Sequence, residues 1–389
     1  MTSVRFKTFE ETERAPDDWA ESCSFGESRL HQLSPYIGKL KSSIAATLIE
    51  EFTLPGGLVL DPFCGSGTIP LECVLRNRNA LAYDTNPYAV LLTQAKLAPP
   101  TSVEVALARL SVRMEDAQER SAFPHGEVPV WVRRFFHPTT LRNALKFADE
   151  CIQQQDHFLL ACLLGILHHQ RPGFLSYPSS HLVPYLRERN FPQAQFPELY
   201  EARALAPRLR AKVIRALRSP PAPDLGTGRV EQRSIVDLSL PSDVDAIITS
   251  PPYMNALDYV RDNRLRMWFL DRATSDYSRE VTDKRAAFSS LTLAFINNAL
   301  SRLKVGGRCV LIVGETVRRK RMTSHPAEQM LEHISKLLPE MSVDRVIEDV
   351  IPDVRRTRRD GAATKKELIL VLTRGSNAKG LETFRGQAA

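Results

Sequence analysis

Gly57-Leu-Val-Leu-Asp-Pro-Phe-Cys-Gly-Ser-Gly-Thr68 is the stretch on which the fold of this chain turns. An apolar run of strand length ends in an acid, passes through a short glycine-rich turn and opens a helix near Thr68. Glycines at 65 and 67 take backbone angles closed to other residues, so the chain can turn tightly and pass close to a ligand. The helix that follows aims unpaired N–H groups and the positive end of its dipole at that ligand. This is nucleotide-cofactor architecture, yet Pro70 stands where the dinucleotide fingerprint G-x-G-x-x-G has its third glycine. A pyrophosphate is not the expected guest.

The next apolar run, Asn79-Ala-Leu-Ala-Tyr-Asp-Thr-Asn-Pro87, reads as a second strand ending at Asp84. In a doubly wound sheet an acid at that strand tip accepts ribose hydroxyls; the alternative is a turn cap before Asn86 and Pro87. The ligand so defined has a ribose, needs no phosphate pocket, and can offer a carboxylate to the helix terminus. S-adenosylmethionine meets these conditions. Asp61-Pro-Phe-Cys-Gly-Ser-Gly-Thr68 also resembles the cofactor motif of the S-adenosylmethionine-dependent amino-methyltransferases of DNA, which reads D-P-F-x-G-S-G-T.

A second strand-and-turn lies far downstream, at Asp245-Ala-Ile-Ile-Thr-Ser-Pro-Pro-Tyr253. Its two prolines lock the backbone and remove two N–H donors, leaving local carbonyls available as acceptors. An exocyclic amine on a nucleobase needs such acceptors. Its lone pair is delocalised into the ring and becomes nucleophilic only when its hydrogens are held. The Ser250 hydroxyl and the Pro251 carbonyl suit that task, Pro252 stiffens the turn, and Tyr253 suits stacking on a base swung out of the duplex.

The resemblance implies an α/β chain: a Rossmann-like methyltransferase fold with a mostly parallel seven-stranded sheet and a long helical insertion. It implies a cofactor set of Asp61, Pro62, Phe63, Gly65, Ser66, Gly67, Thr68, Asp84 and Asn86, with Tyr36 and Lys39 beside the methionine end. Ser234 or Asp237, at the exit of the third strand, would bond the adenine amine. Asp258, Tyr259 and Arg261 follow the S-P-P-Y turn as a D-Y-x-R segment and would lie near the target base. Arg355, Arg356, Arg358, Arg359 and Lys365 form a basic loop between the last strands, placed to grip phosphate, with Arg318 to Arg321 on the same sheet edge. For each of these surface groups a solvated face or helix cap is the plainer alternative.

The remaining chain sorts around these anchors. Residues 1–30 are polar and read as an N-terminal arm, residues 31–100 and 226–374 as the catalytic domain, and residues 375–389 as a disordered tail. Strand–helix alternation stops over 101–225, which reads as helices and loops and is the candidate target-recognition region. Within it Phe158–Leu167 is apolar all round and must be buried, and it ends at His168 and His169, which either cap a helix or reach phosphate or base. A basic amphipathic helix over 201–218 runs along a phosphate backbone or faces solvent.

A net charge of +7 and a pI near 9.1 favour a polyanionic partner. Six cysteines without a C-x-x-C pair indicate neither a disulfide framework nor a zinc site, and a reduced, cytoplasmic setting fits, nucleoid-associated if bacterial. No run reaches membrane-spanning length. The reading is therefore a DNA methyltransferase acting on a flipped base of double-stranded DNA, without metal. Serine in the first position of the turn favours cytosine N4 over adenine N6, where Asp or Asn is more typical. Methylation of a guanine amine in RNA, of a protein glutamine, or a nucleic-acid-binding module that has lost catalysis are the alternatives; whether a restriction endonuclease accompanies the chain is open. No cysteine stands in a setting suited to carbon-5 cytosine attack.

Overall fold

The computed structural model of the chain describes residues 12–20, 27–36, 38–168, 174–177, 191–218, 225–252, 259–272, 284–314, 325–351 and 366–376. Among them eight strands form one sheet in the order β1-β7-β8-β6-β5-β2-β3-β4. These are β1 (Glu13–Arg14), β2 (Leu58–Asp61), β3 (Asn79–Asp84), β4 (Gly228–Gln232), β5 (Val244–Thr249), β6 (Leu303–Gly314), β7 (Met341–Val350) and β8 (Lys366–Arg374). Every pairing is parallel except those of β8, which runs antiparallel to both β6 and β7.

The sheet carries one strand more than the seven expected, and the extra one comes from the arm. Glu13 and Arg14 pair with Ile347 and Glu348 of β7, and the Ala15 N–H continues the ladder to the Glu348 carbonyl at 2.9 Å. Arg345 holds Glu13 and Glu51, and Trp19 is buried against Ile44, Ile49 and Ile347. A two-residue strand has no periodicity to read, so the docking of residues 12–20 of the N-terminal arm on this sheet edge gives no signal in the sequence.

The buried strands alternate between two cores, as the two-residue side-chain period requires. Val59, Ala246, Ile248, Val310, Ile312 and Ile369 face one layer of helices, while Leu60, Ile247, Leu311, Val313 and Leu370 face the other. The first layer contains α1 (Ser42–Phe52) and α2 (Thr68–Leu75), with α3 (Pro87–Leu97) beside them. In α3 Pro87 occupies the first turn, where its missing N–H costs nothing, and Asn86 Oδ1 accepts from the Tyr88 N–H at 2.9 Å.

The long segment before β4 holds α4 (Val103–Glu119), α5 (Val130–Arg133), α6 (Pro138–Gln153), α7 (His157–Ile166) and α8 (Leu205–Ala216). Beyond β5 follow α9 (Tyr259–Leu270), α10 (Lys284–Asn298) and α11 (Pro326–Leu337); the last two cover the second face of the sheet with Phe295, Met330 and Leu331. The apolar helix expected over 158–167 is α7, buried from Phe158 through Ile166 and capped by Asp156, whose carboxylate accepts from the Leu159 N–H. Its core is continuous with Leu91 and Leu92 of α3 and with Trp268 and Phe269 of α9. The helices of 101–225 therefore form an outer layer fused to the sheet domain. Buried Glu150 and Asp156 hold this layer together by pairing with Arg120 at 2.7 Å and Arg109 at 2.9 Å.

Candidate functional site

The first glycine turn and the proline turn meet. Leu60 of β2 pairs with Ile247 of β5, so the two strands end side by side at the same edge of the sheet. There the Thr249 hydroxyl donates to Asp61 Oδ1 at 2.6 Å, across 188 residues of sequence. The same oxygen accepts from the Phe63 N–H at 3.3 Å. Ser250, Pro251 and Pro252 follow Thr249 directly, with Pro251 buried and the other two half-buried. Asp61 is 3% exposed, and burial pushes its carboxyl up to about 7, against the pull of its two hydrogen bonds and helped by the nearby Asp84 charge.

Two residues of the glycine turn are left-handed, Gly65 at φ +50° and Gly67 at φ +73°, the latter capping α2. A Cβ on Gly67 would lie 2.5 Å from Thr93 Oγ1 and 2.9 Å from Thr93 Cα. On Gly65 it would rest 3.6 Å from Tyr36 Cε1, so the Tyr36 ring lies against the turn. Asp84, at the tip of β3, accepts from the Gly65 N–H at 2.9 Å and from the Asn86 N–H at 2.8 Å, one bond to each carboxylate oxygen. Burial raises its pKa and these backbone bonds oppose the rise. The Thr85 backbone also bonds it, and since a carboxylate has about four acceptor sites, capacity for a further donor remains. Asn86 Nδ2 is buried with no acceptor among the described residues. Ser234 and Asp237 stand at the exit of β4, next to β3; Ser234 caps a short 3-10 turn through the Val236 N–H, and Asp237 is exposed.

The turn rests on a polar underside that no motif announces. Lys96 donates to the Ser66 carbonyl, and Thr93 lies one turn earlier on the same helix face, donating to Gly65 O at 3.4 Å. Burial lowers the Lys96 ammonium to about 7, and the neighbouring Lys39 charge lowers it further. Lys39 donates to the His31 carbonyl at 2.9 Å, and the His31 ring bonds Glu72 at 2.5 Å. Ser66 and Thr68 contact through their hydroxyls at 3.3 Å, Pro62 is buried, and the Phe63 ring packs on Phe295 beneath the sheet. Burial raises the Cys64 thiol well above its usual value, so no thiolate stands in the turn.

Tyr88 and Arg266 form a second hub. The Tyr88 hydroxyl bonds Pro35 O at 2.8 Å and Ser34 Oγ at 2.5 Å, which fixes the segment leading to Tyr36. Arg266 of α9 lies over the Tyr88 ring at 5.8 Å and donates to the carbonyls of Leu164 and His168 at the end of α7. The helix after the proline turn is thereby locked to α3 and to the outer layer.

Other expectations change. His168 is buried, bonds Ser176 at 2.8 Å and meets the Phe135 ring edge-on, so it belongs to the core and reaches neither phosphate nor base. The basic helix is shorter than 201–218, and Lys212 on it points inward to Gln32 O while Arg210 and Arg215 face solvent. Tyr253, Asp258, His169, Arg318 to Arg321, Arg355, Arg356, Arg358, Arg359 and Lys365 lie outside the described residues, as do the side chains of Tyr259 and Arg261 in α9. Among the described residues no group of His, Cys, Asp or Glu forms a metal site, and no helix is long and apolar enough to cross a membrane.

Comparison with known proteins falls on the first half of this site. Residues 32–95, which include the glycine turn, match the family of N6/N4 DNA methylases. A type II methyltransferase, M.MjaII of Methanocaldococcus jannaschii, is 29% identical over 68 residues, which cover 18% of this chain and 13% of that protein. Among solved structures, TrmN from Thermus thermophilus superposes with a TM-score of 0.36 at 15% identity over 89% of this chain and 53% of its own. An rRNA methylase from Streptococcus thermophilus gives 0.35 at 10% identity, covering 87% and 98%.

Proposed function

We propose that this chain, whose residues 32–95 match the DNA methylases, is an S-adenosylmethionine-dependent methyltransferase acting on the exocyclic amine of a flipped DNA base, cytosine N4. The observation that carries the proposal is the Asp61–Thr249 bond, because it ties the turn suited to a nucleoside donor to the turn suited to an amine acceptor.

The donor set fits the cofactor. After serving the backbone of Gly65, Thr85 and Asn86, Asp84 retains acceptor capacity for a ribose hydroxyl, and the buried Asn86 amide lacks an acceptor among the described residues. The N-terminus of α2, with Ser66 and Thr68 at its entrance, favours a carboxylate. Tyr36 lies against the turn at Gly65, and Ser234 and Asp237 offer polar groups at the neighbouring strand exit. Lys39 and Lys96 donate to backbone carbonyls below the turn and brace it. When bound, S-adenosylmethionine supplies a methyl group already activated by the sulfonium.

What this chain contributes is position. Ser250 Oγ and the Pro251 carbonyl accept the two amine hydrogens and turn the nitrogen lone pair toward the cofactor turn, with Pro252 and Tyr253 shaping the base pocket. Holding the two reactants in line supplies much of the rate, since a well-oriented intramolecular reaction gains up to about 7–11 kcal/mol over a bimolecular one. Asp258, Tyr259, Arg261 and the basic loop of Arg355, Arg356, Arg358, Arg359 and Lys365 would hold the nucleotide and its phosphates. The serine of S-P-P favours cytosine, and the outer helical layer over 101–225 is the part available to read the surrounding sequence.

The test is incubation with methyl-labelled S-adenosylmethionine and separate pools of duplex DNA, single-stranded DNA, RNA and protein, followed by nucleoside mass spectrometry. N4-methylcytosine in duplex DNA is the expected product. Label in N6-methyladenine overturns the base, label confined to RNA or protein overturns the substrate, and no cofactor binding at all overturns the enzyme.

A further inference from the structure

Tyr36, which rests on the glycine turn, stands at the end of a stretch that no regular secondary structure holds. Neither helix nor strand covers Leu33 to Tyr36, and Pro35 has no N–H to donate. Side chains from elsewhere hold the carbonyls that run up to it. Lys39 takes that of His31 at 2.9 Å, Lys212 of α8 that of Gln32 at 2.8 Å, and Tyr88 of α3 that of Pro35 at 2.8 Å. A Cβ on Gly165 of α7 would strike the Leu33 carbonyl, so the stretch runs directly against that helix. Tyr88 acts next to Tyr36 itself. It is fully buried, its hydroxyl also bonds Ser34 Oγ at 2.5 Å, and its ring packs on the Tyr36 ring with centroids 5.9 Å apart. Its N–H donates to Asn86 Oδ1, and the Asn86 N–H donates to Asp84, so one residue joins the segment bearing Tyr36 to the tip of β3. Arg266 of α9 lies over the same ring at 5.8 Å.

We propose that Tyr88 is a positioning residue for cofactor binding, whose hydroxyl sets Tyr36 against the glycine turn. A core position needs only a ring. A buried hydroxyl is unfavourable unless it is bonded, and here its bonds fall on Ser34 and Pro35, the two residues that lead into Tyr36. A binding group keeps its geometry only as well as the groups around it hold its backbone and rotamer. The Tyr36 ring rests on Gly65, in the turn from which the N-terminus of α2 opens. The part of the ligand that depends on this ring is therefore the part that terminus favours, a carboxylate-bearing tail rather than the nucleoside. The proposal rests on the reading of the protein as an S-adenosylmethionine-dependent methyltransferase and deepens it, because it makes the hold on the cofactor depend on a residue outside both motifs.

The experiment measures, by titration calorimetry on the full-length protein, the affinity for S-adenosylhomocysteine and for methylthioadenosine, which keeps the nucleoside and thioether but has no amino-acid tail. Tyr88→Phe retains the ring and the backbone bond to Asn86 and removes only the hydroxyl. It should weaken S-adenosylhomocysteine by about fivefold or more and methylthioadenosine by less than about twofold. Ser34→Ala takes away one of the two partners and should weaken the same ligand by a smaller factor. In a Tyr36→Ala background, Tyr88→Phe should change S-adenosylhomocysteine affinity by less than about twofold, because the ring it positions is already gone. Wild-type affinity in Tyr88→Phe and Ser34→Ala, an equal loss for both ligands, or a loss that persists undiminished without the Tyr36 ring would overturn the positioning role and leave the methyltransferase reading intact. A wild-type protein that binds neither ligand would overturn that reading, and the positioning role with it.

Discussion

Replacing Asp61 by Asn should remove a pH dependence of stability that the buried carboxyl creates. In the folded chain Asp61 titrates near 7, against 3.8 for an ordinary aspartate, chiefly because it is fully buried beside Asp84. Between those two values the folded state keeps a proton that the unfolded chain has already released. Stability from this group is therefore present below about pH 4 and lost as the pH rises toward 7. At about 1.4 kcal/mol per pKa unit, a rise of this size is worth on the order of 4 kcal/mol. Asparagine cannot titrate in this range, while its side-chain carbonyl still accepts from Thr249 and Phe63. Urea unfolding followed by tryptophan fluorescence, on both proteins at intervals from pH 4 to 8, reads the difference directly, since the titrations of groups remote from position 61 cancel in the comparison. Wild-type stability relative to Asp61→Asn should fall by about 4 kcal/mol across this range. A difference that stays flat, or that rises with pH, would show that Asp61 is ionised in the fold and that its burial has been misjudged.

Lys96 should behave in the opposite sense. Its folded pKa of about 7 lies below the ordinary 10.5, so wild type should gain stability over Lys96→Met as the pH climbs from 7 to about 10, by up to about 5 kcal/mol, measured by the same urea series. Gly67→Ala forces a left-handed Cβ against Thr93 Cα; the backbone conformation alone costs about 1–2 kcal/mol and the contact adds to it, so calorimetry should show a lower melting temperature, and Thr93→Ser should not restore it. Ser250→Ala should slow methyl transfer at least tenfold while calorimetric affinity for S-adenosylhomocysteine stays nearly intact. Asp84→Ala should weaken that affinity first, because it takes the acceptor from Gly65 and Asn86 as well as from the ligand; equal loss of both properties in each variant would contradict the assigned roles.

The sequence by itself determined the elements and the two turns. Strand tips at Asp61 and Asp84 could be read because apolar runs of fixed length end in acids before glycine or proline, and local sterics and backbone bonding force those shapes whatever surrounds them. The burial of α7 was equally legible, since a helix apolar on every side has no face to offer water. Only the tertiary structure decided which distant groups share the site. Thr249 gives no motif signal, and its bond to Asp61 exists because parallel pairing puts the ends of β2 and β5 side by side. Thr93 and Lys96 look like ordinary residues of α3 until that helix packs beneath the glycine turn. His168 illustrates the reverse, a residue suggestive in sequence that packing consigns to the core. Docking of Glu13 and Trp19 was likewise invisible, because two residues of strand and one buried ring depend on a sheet edge and a cavity formed by residues hundreds of positions away. Local shape follows from neighbouring residues, whereas chemistry at a site depends on which strand ends and helix faces the whole chain brings together.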